Sequence, residues 1–176
     1  VNAIFDFNPL MTLTTKGYFC EESSFEKLAE CVKAAQEYKN IRVITVDATT
    51  FNGAGASSTQ ELAFALAEGS EYIALLKDLG LSVKDIAKKM VFVFSVGSSY
   101  FMEIAKFRAA RMLWANVVEA YGTDSTCAKK MTIFAYTGEW NQTVYDSYVN
   151  MLRATTEAMS AALAGVDYLE VVPFDF

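Results

Sequence analysis

The sequence has 176 residues, 53% of them hydrophobic and 20% charged, with 15 Lys and Arg against 21 Asp and Glu for a formal net charge of -6. This composition predicts one globular domain, residues 1–176, and excludes an intrinsically disordered chain. The acidic balance disfavours binding to nucleic acid or to an anionic membrane surface, and no apolar run approaches the ~18 residues that a membrane span needs.

Short β-branched or aromatic runs alternate with longer helical patterns along the chain. Strands are predicted at residues 1–7, 42–47, 90–96, 131–136 and 167–172. Helices are predicted from an N-cap at Ser23 to about residue 38, from a cap at Ser57 or Ser58 to Gly80 with a possible interruption at Gly69, and at residues 83–89, 99–121 and 145–163. Residues 123–130 are predicted to form a polar loop.

This alternation is typical of an α/β fold with a parallel sheet. Two architectures remain open at this point. A five-stranded doubly wound sheet would be complete at this length, whereas a (β/α)8 barrel needs roughly 250 residues and would be present only in part. The opening residues, Val-Asn-Ala-Ile-Phe, resemble the interior of a polypeptide, so we expect the chain to be part of a longer one.

The residue types limit the chemistry that the chain can perform. It contains no His, which excludes imidazole acid–base catalysis, a Ser/His/Asp or Cys/His arrangement and a histidine metal ligand. Cys20, Cys31 and Cys127 are odd in number and lack C-x-x-C spacing, so neither a disulfide framework nor a zinc site is predicted. A reducing, cytoplasmic location is the expectation.

Two features after the second strand carry weak functional signals. The segment 51–58, Phe-Asn-Gly-Ala-Gly-Ala-Ser-Ser, precedes a helix, where backbone amides can cradle a phosphate. It lacks the further residues of known phosphate loops, and a tight turn is the alternative. Asp47 lies at the carboxyl end of its strand, where α/β folds bind ligands, but an aspartate there also caps nearby amides.

The helix at 100–114 is dense in both apolar and charged residues. Helical spacing predicts Ile104, Phe107 and Leu113 as core. The same spacing predicts an ion-pair network between helices for three charged residues, Glu103, Arg108 and Arg111. Further along, an aromatic group could line the mouth of a pocket or pack in the core: Phe134, Tyr136, Trp140 and Tyr145.

The segment 100–114, read as Y-F-M-E-I-A-K-F-R-A-A-R-M-L-W, closely resembles the methylmalonyl-CoA mutase family of cobalamin-dependent isomerases. Upstream, G-A-G-A at 53–56 and E-L-A-F-A-L-A-E-G at 61–69 are similar to a second family segment. Downstream, a run from Thr137 to Gly165 falls in step with a third. The resemblance spans about residues 40–175 and implies consecutive βα units of a (β/α)8 substrate-binding barrel, incomplete here.

The departures from the family pattern fall on its site residues. Where catalytic chains of the family read G-Y-H, this chain has Ala48, Thr49 and Thr50. The family's R-T-H-x-Q segment corresponds to residues 132–136, with Phe134 and Tyr136 at the His and Gln positions, and its L-H-T-N segment corresponds to 169–172, with Glu170 at the His position. The resemblance therefore implies no catalytic residue in this chain, and leaves Asp47, Thr50, Tyr136 and Trp140 as a possible pocket at the barrel mouth.

This chain keeps the framework of the family but lacks its site residues. In this it is similar to the small subunit of the heterodimeric bacterial enzymes of this family. This resemblance implies a catalytically silent chain that pairs with a large catalytic subunit, with adenosylcobalamin bound by that partner and neither cofactor, metal nor cobalamin-binding domain in this chain. Two alternatives stay open: an acyl-CoA mutase of altered specificity, and a degenerate acyl-CoA binding protein with a pocket at the barrel mouth.

Overall fold

The structure is a computed structural model that describes residues 3–18, 21–123 and 125–175. Parallel strands alternate with helices, as the sequence predicts for an α/β fold. In chain order the elements are β1 (Ala3–Ile4), α1 (Pro9–Lys16), α2 (Glu21–Ala35), β2 (Ile41–Arg42), β3 (Ile44–Asp47), α3 (Thr49–Gly53), α4 (Ser58–Asp78), α5 (Val83–Lys88), β4 (Met90–Val96), α6 (Tyr100–Ala120), α7 (Thr126–Lys129), β5 (Ile133–Thr137), α8 (Ser147–Ala164) and β6 (Tyr168–Glu170).

Every described strand pair is parallel, and neighbouring strands follow the order of the chain. β1 pairs with β2, and the larger sheet has the order β3-β4-β5-β6. The strand predicted at 42–47 is split at Val43, because the amides of Val43 and Ile44 both donate to the carbonyl of Lys89, at 3.0 and 3.1 Å. Two residues opposite one form a bulge, which bends the strand and divides its pairing between two neighbours.

One apolar core lies between the helices and one face of the sheet. Alternate strand residues point into it, among them Ile44, Val46, Phe92, Phe94 and Ile133, together with buried residues of α2, α4 and α6. Phe92 meets the Trp114 ring at a centroid distance of 4.7 Å, and Phe94 meets Phe107 at 6.0 Å. The strands are therefore apolar where they face the helices, and the side chains on the opposite face of the sheet are not part of this core.

Glycine ends two of the long helices as predicted. Gly165 is the left-handed C-cap of α8 with φ +75°, and Gly122 follows α6 with φ +83°. Gly69 does not interrupt α4. It is buried at a close approach, and a Cβ there would lie 2.9 Å from the Phe92 ring and 3.0 Å from Trp114.

Several predicted boundaries are wrong. β1 covers only Ala3–Ile4 of the strand expected at 1–7, and residues 1 and 2 lie outside the described part of the chain. Ser23 is not an N-cap, since α2 already includes it. Helices α1, α3 and α7 were not predicted, and α7 occupies part of the expected polar loop at 123–130, of which Asp124 is not described.

No helix in the described ranges is long and apolar enough to cross a membrane. Cys31 and Cys127 are free and exposed, and Cys20 lies outside the described residues.

Candidate functional site

The sheet face turned away from the helices carries two rows of side chains. The strand register aligns Asp47, Val93, Phe134 and Tyr168 in one row. A second row, one step nearer the carboxyl ends of the strands, contains Ser95, Tyr136 and Glu170. Four positions selected from the sequence therefore lie on one face of one sheet, at the end where α/β folds bind ligands.

A cleft of about 510 Å³ opens at this edge of the sheet. Its lining comes from the turn after β3, the end of β4 and the loop after β5: Thr49, Asn52, Gly53, Ser95, Tyr136, Gly138, Glu139 and Trp140. The loop after β5 turns sharply at Gly138, whose amide donates to the Val96 carbonyl at 2.8 Å. A Cβ at this glycine would lie 3.1 Å from that same carbonyl oxygen, so the turn favours glycine.

Two polar side chains of the cleft, those of Tyr136 and Glu139, are engaged with each other. The Tyr136 hydroxyl donates to Glu139 Oε1 at 2.9 Å. Burial raises the pKa of the Tyr136 phenol, and the nearby carboxylates of Glu139 and Glu170 raise it further. Tyr136 is thus held as a neutral phenol, and the large exposed ring of Trp140 stands at the rim.

Beneath the cleft lies a fully buried ion cluster that the sequence did not reveal. Lys106 Nζ lies 2.8 Å from Glu61 Oε2 and 2.6 Å from Glu103 Oε2, and it donates to the Ser95 carbonyl at 2.6 Å. Glu61 Oε1 accepts the Ser95 amide at 2.8 Å. The amide and the carbonyl of Ser95 are therefore both bonded to the cluster, which holds the end of β4 in place below the cleft.

Two carboxylates share one ammonium group in this cluster. Burial raises the pKa of Glu61, and the neighbouring charge of Glu103 adds to that effect, while Lys106 opposes it. Ser58 donates to Glu103 Oε1 at 3.1 Å. A third carboxylate, Glu157 of α8, accepts from Asn141 at 2.6 Å, and burial raises its pKa to about 7.

The predicted ion-pair network of the helix at 100–114 is therefore wrong in its members. Glu103 is part of a buried cluster, but its partners are Lys106 and, across that lysine, Glu61. Arg108 is exposed, and Arg111 binds the carbonyl of Gly165 at 2.6 Å and Asp167 Oδ2 at 3.2 Å.

The predicted core of that helix is confirmed only in part. Phe107 is fully buried, Ile104 is partly buried against the core, and Leu113 is exposed.

The residues expected to line a pocket at the barrel mouth, Asp47, Thr50, Tyr136 and Trp140, do not all line the same cleft. Tyr136 and Trp140 line the cleft together with Thr49, whereas Thr50 is half-buried in α3 and is not part of the lining. Asp47 Oδ1 accepts the amide of Thr49 at 2.9 Å and its hydroxyl at 2.6 Å, so this carboxylate bonds to the backbone two residues further along the chain. Asp47 also lines a separate cavity of about 150 Å³, together with Asp6 and Asn8.

The segment 51–58 forms a tight turn whose amides already have partners. The amides of Ala54, Gly55 and Ala56 donate to the carbonyls of residues 50, 52 and 51 at 3.1, 2.8 and 3.0 Å. Ser57 and Gln60 then form a capping box at the start of α4. These amides are not available for a phosphate, and the structure favours the turn interpretation.

Comparison with known proteins assigns the family. The family model described as methylmalonyl-CoA mutase matches residues 10–176. The chain belongs to the methylmalonyl-CoA mutase family. It is 50% identical over 143 residues to the methylmalonyl-CoA mutase small subunit of Porphyromonas gingivalis, covering 81% of this chain and 23% of that protein.

Other relatives extend the comparison to both kinds of subunit. The small subunit of Streptomyces virginiae is 40% identical over 156 residues, covering 88% of this chain and 25% of the relative. The large subunit of P. gingivalis is 33% identical over 141 residues, covering 80% of this chain and 20% of the relative. The resemblance to the family and to its small subunit is thereby confirmed. The chain spans about a quarter of the length of the curated relatives it matches.

Proposed function

We propose that this chain is part of the small subunit of a methylmalonyl-CoA mutase, an assembly that interconverts methylmalonyl-CoA and succinyl-CoA, and that the subunit is itself catalytically silent. The observation that carries the proposal is the set of residues that stand at the family's site positions, in and beside the cleft at the carboxyl edge of the sheet. The positions that correspond to the family's Tyr-His, His and Gln are Thr49, Thr50, Phe134 and Tyr136.

The side chains at these positions cannot do the work of those they replace. Threonine is too short to reach as tyrosine and histidine do, and phenylalanine neither donates nor accepts a hydrogen bond. Tyr136 keeps a hydroxyl in the cleft, but that hydroxyl already donates to Glu139. With Glu139 and Glu170 beside it, the cleft has an acidic character that disfavours an anionic acyl group such as methylmalonyl.

The strand order and the placement of the helices support a partial (β/α)8 barrel. A doubly wound sheet reverses its strand order and carries helices on both faces. Here the described strands run in sequential order, and one core collects the helices on one face. On this proposal the two rows of side chains on the other face point into the barrel, and residues 1–176 form one partial barrel domain.

The donors of this chain do not fit adenosylcobalamin. Cobalt in this family is ligated by a histidine imidazole, and the sequence contains no His. The described residues also contain no group of three Cys, Asp or Glu side chains placed to hold a metal ion. As part of this proposal we assign the cofactor to the large subunit, and this chain to pairing with that subunit in the cytoplasm.

The test uses the natural full-length protein. We expect no succinyl-CoA when it is given methylmalonyl-CoA and adenosylcobalamin, and a one-to-one complex with the large subunit of the same organism in size-exclusion chromatography with light scattering. Isomerase activity of the isolated subunit would disprove catalytic silence, and two separate peaks after mixing would disprove pairing.

One observation favours a second candidate, a degenerate acyl-CoA binding protein, but with its pocket at the opposite end of the sheet from the barrel mouth, where the sequence predicted it. A cavity of about 510 Å³ at the amino-terminal end of the sheet is lined by five cations, with Asp85 and Asp167 beside them: Lys39, Arg42, Lys88, Lys89 and Lys130. Burial lowers the pKa of Lys89, and the charges of Arg42 and Lys88 lower it further. Such a cluster in an acidic protein suits a phosphorylated ligand. Calorimetry with coenzyme A decides the matter, since binding weaker than millimolar would eliminate this candidate.

A further inference from the structure

The outward surface of α6 and α8 is unusually apolar for the exterior of a protein. Nine large apolar side chains on these two helices are exposed: Phe101, Met102, Met112, Leu113, Tyr148, Met151, Leu152, Met159 and Leu163. We call this set the α6–α8 face. The two helices pack against each other, so their outward surfaces adjoin.

The exposed part of α8 contains no charged side chain. Its two charged residues, Arg153 and Glu157, are half-buried and buried. The exposed threonines Thr155 and Thr156 donate their hydroxyls to carbonyls of the same helix, at 2.6 and 2.8 Å. The hydroxyl donors of both threonines are thus used within the helix, which makes this surface less polar than two free hydroxyls would.

Helix α2 provides a comparison within the same chain. Its exposed positions include Glu26, Lys27, Glu30 and Lys33, as expected for a helix with one face in water. The difference between the two helices indicates that the α6–α8 face is not adapted to solvent.

The α6 part of the face is not explained by a missing helix beside α6 on the sheet. α6 lies between α4 and α8 and contacts both, yet Phe101 is 81% exposed and Met112 is 69% exposed. These residues fall at the spacing of one helical stripe, in the order Phe101, Ala105, Arg108 and Met112. A stripe of this kind fits the apolar side of another helix.

The size of the face suits a stable protein interface. The nine residues are 40–81% exposed, and at roughly 150 Å² for each large side chain, the lower end of the aromatic range, they present on the order of 1,000 Å². A monomer rarely exposes more than a few hundred Å² of contiguous apolar surface, and a standard interface covers about 800 Å² on each partner.

Arg108 defines the charge that the partner must carry. It is exposed in the middle of the stripe, and no carboxylate of the described residues lies within ion-pair distance of it. A two-fold contact of α6 with its own copy would bring two Arg108 guanidinium groups together with no acid on the face to neutralise them. Charge complementarity therefore favours a different chain, one that presents an apolar helix with a carboxylate.

We propose that the α6–α8 face is the surface that binds the large subunit of the mutase, which places an apolar helix on it and a carboxylate opposite Arg108. This inference rests on the pairing proposed above. It also accounts for an apolar exterior on α6, which already has a helix on either side.

The test is a binding measurement between full-length small and large subunits. Arg108→Glu and Met112→Glu are each expected to raise the dissociation constant by about 30-fold or more, the effect of a central interface residue. Lys33→Glu on α2 is the matched control for Arg108→Glu, since it makes the same change of charge on an exposed helix, and it is expected to leave the constant unchanged. Circular dichroism verifies that each variant is folded.

A photoreactive residue introduced at position 112 gives an independent readout. We expect it to cross-link to the large subunit, whereas the same residue at position 33 does not. If the wild-type subunits bind but the two variants bind equally well, the face is not the interface and pairing stands. If the wild-type subunits do not bind at all, both the pairing and this inference are wrong.

Discussion

Removing the single cation of the buried cluster should weaken the end of β4 more than any other charge substitution in the chain. Lys106→Met removes the ammonium group that lies 2.8 Å from Glu61 and 2.6 Å from Glu103, and leaves both carboxylates buried. Breaking a buried ion pair on one side costs about 3–5 kcal/mol, because the remaining charge has lost its partner. The Ser95 carbonyl also loses a donor.

The assay is amide hydrogen exchange in the full-length protein, followed in peptides that cover Met90–Val96. A loss of about 3–5 kcal/mol corresponds to exchange that is roughly 10²- to 10⁴-fold faster. Glu103→Gln is the comparison variant, since it leaves Lys106 paired with Glu61 and relieves the repulsion between two acids. We expect it to change exchange by less than about tenfold.

The pH dependence of the Lys106→Met variant follows from the same charges. Without the ammonium group, which opposes the effect of burial on Glu61, the folded pKa of Glu61 rises further above the unfolded one. Stability is then lost as pH rises, and the difference from wild type should be larger at about pH 8 than at about pH 5. Equal exchange in Lys106→Met and wild type at both pH values would refute the view that this cluster holds the cleft floor.

Three further substitutions test other parts of the structure by thermal unfolding. Burial raises the pKa of Glu157 from 4.5 to about 7, so stability should fall as pH rises through that interval, and Glu157→Gln should flatten the profile. Gly69→Ala should destabilise by about 1–3 kcal/mol because its methyl would lie 2.9 Å from the Phe92 ring, whereas Gly53→Ala, with open space around it, should not; equal effects would contradict the packing. Ser57→Ala removes half of a capping box and should cost about 1 kcal/mol, and an unchanged midpoint would show that the cap is dispensable.

The sequence predicted most successfully those elements whose signals are local. β4 coincides with the predicted strand at 90–96, because an uninterrupted apolar run is what a strand in a parallel sheet requires. A cap was predicted at Ser57 or Ser58, and α4 begins directly after Ser57, whose side chain accepts the amide of Gln60. A similar signal was overlooked at α1, where Asn8 caps the helix and Pro9 occupies its first position.

The buried cluster was beyond sequence reasoning for a physical reason. Glu103 and Lys106 are three residues apart, and their pairing is a matter of helical spacing. Glu61 lies 45 residues before Lys106, on another helix, and no local pattern indicates that the two meet. Because the contact with Glu61 cannot be seen in the sequence, nothing there distinguishes the charged residues of the helix at 100–114, and the prediction grouped Arg108 and Arg111 with Glu103.

The arrangement of cleft and cluster explains how such a chain can differ from the catalytic members of its family at the rim and still fold. Thr49 and Tyr136 bond only to neighbours in their own turn or loop, and Trp140 is exposed. The fold depends instead on the aromatic core and on Lys106 with its two carboxylates, which lie beneath the rim. Substitutions at the rim therefore alter what the cleft can bind at little cost in stability, whereas a substitution in the cluster alters the scaffold. On the function proposed above, this separation would let the chain lose catalysis and still keep its scaffold.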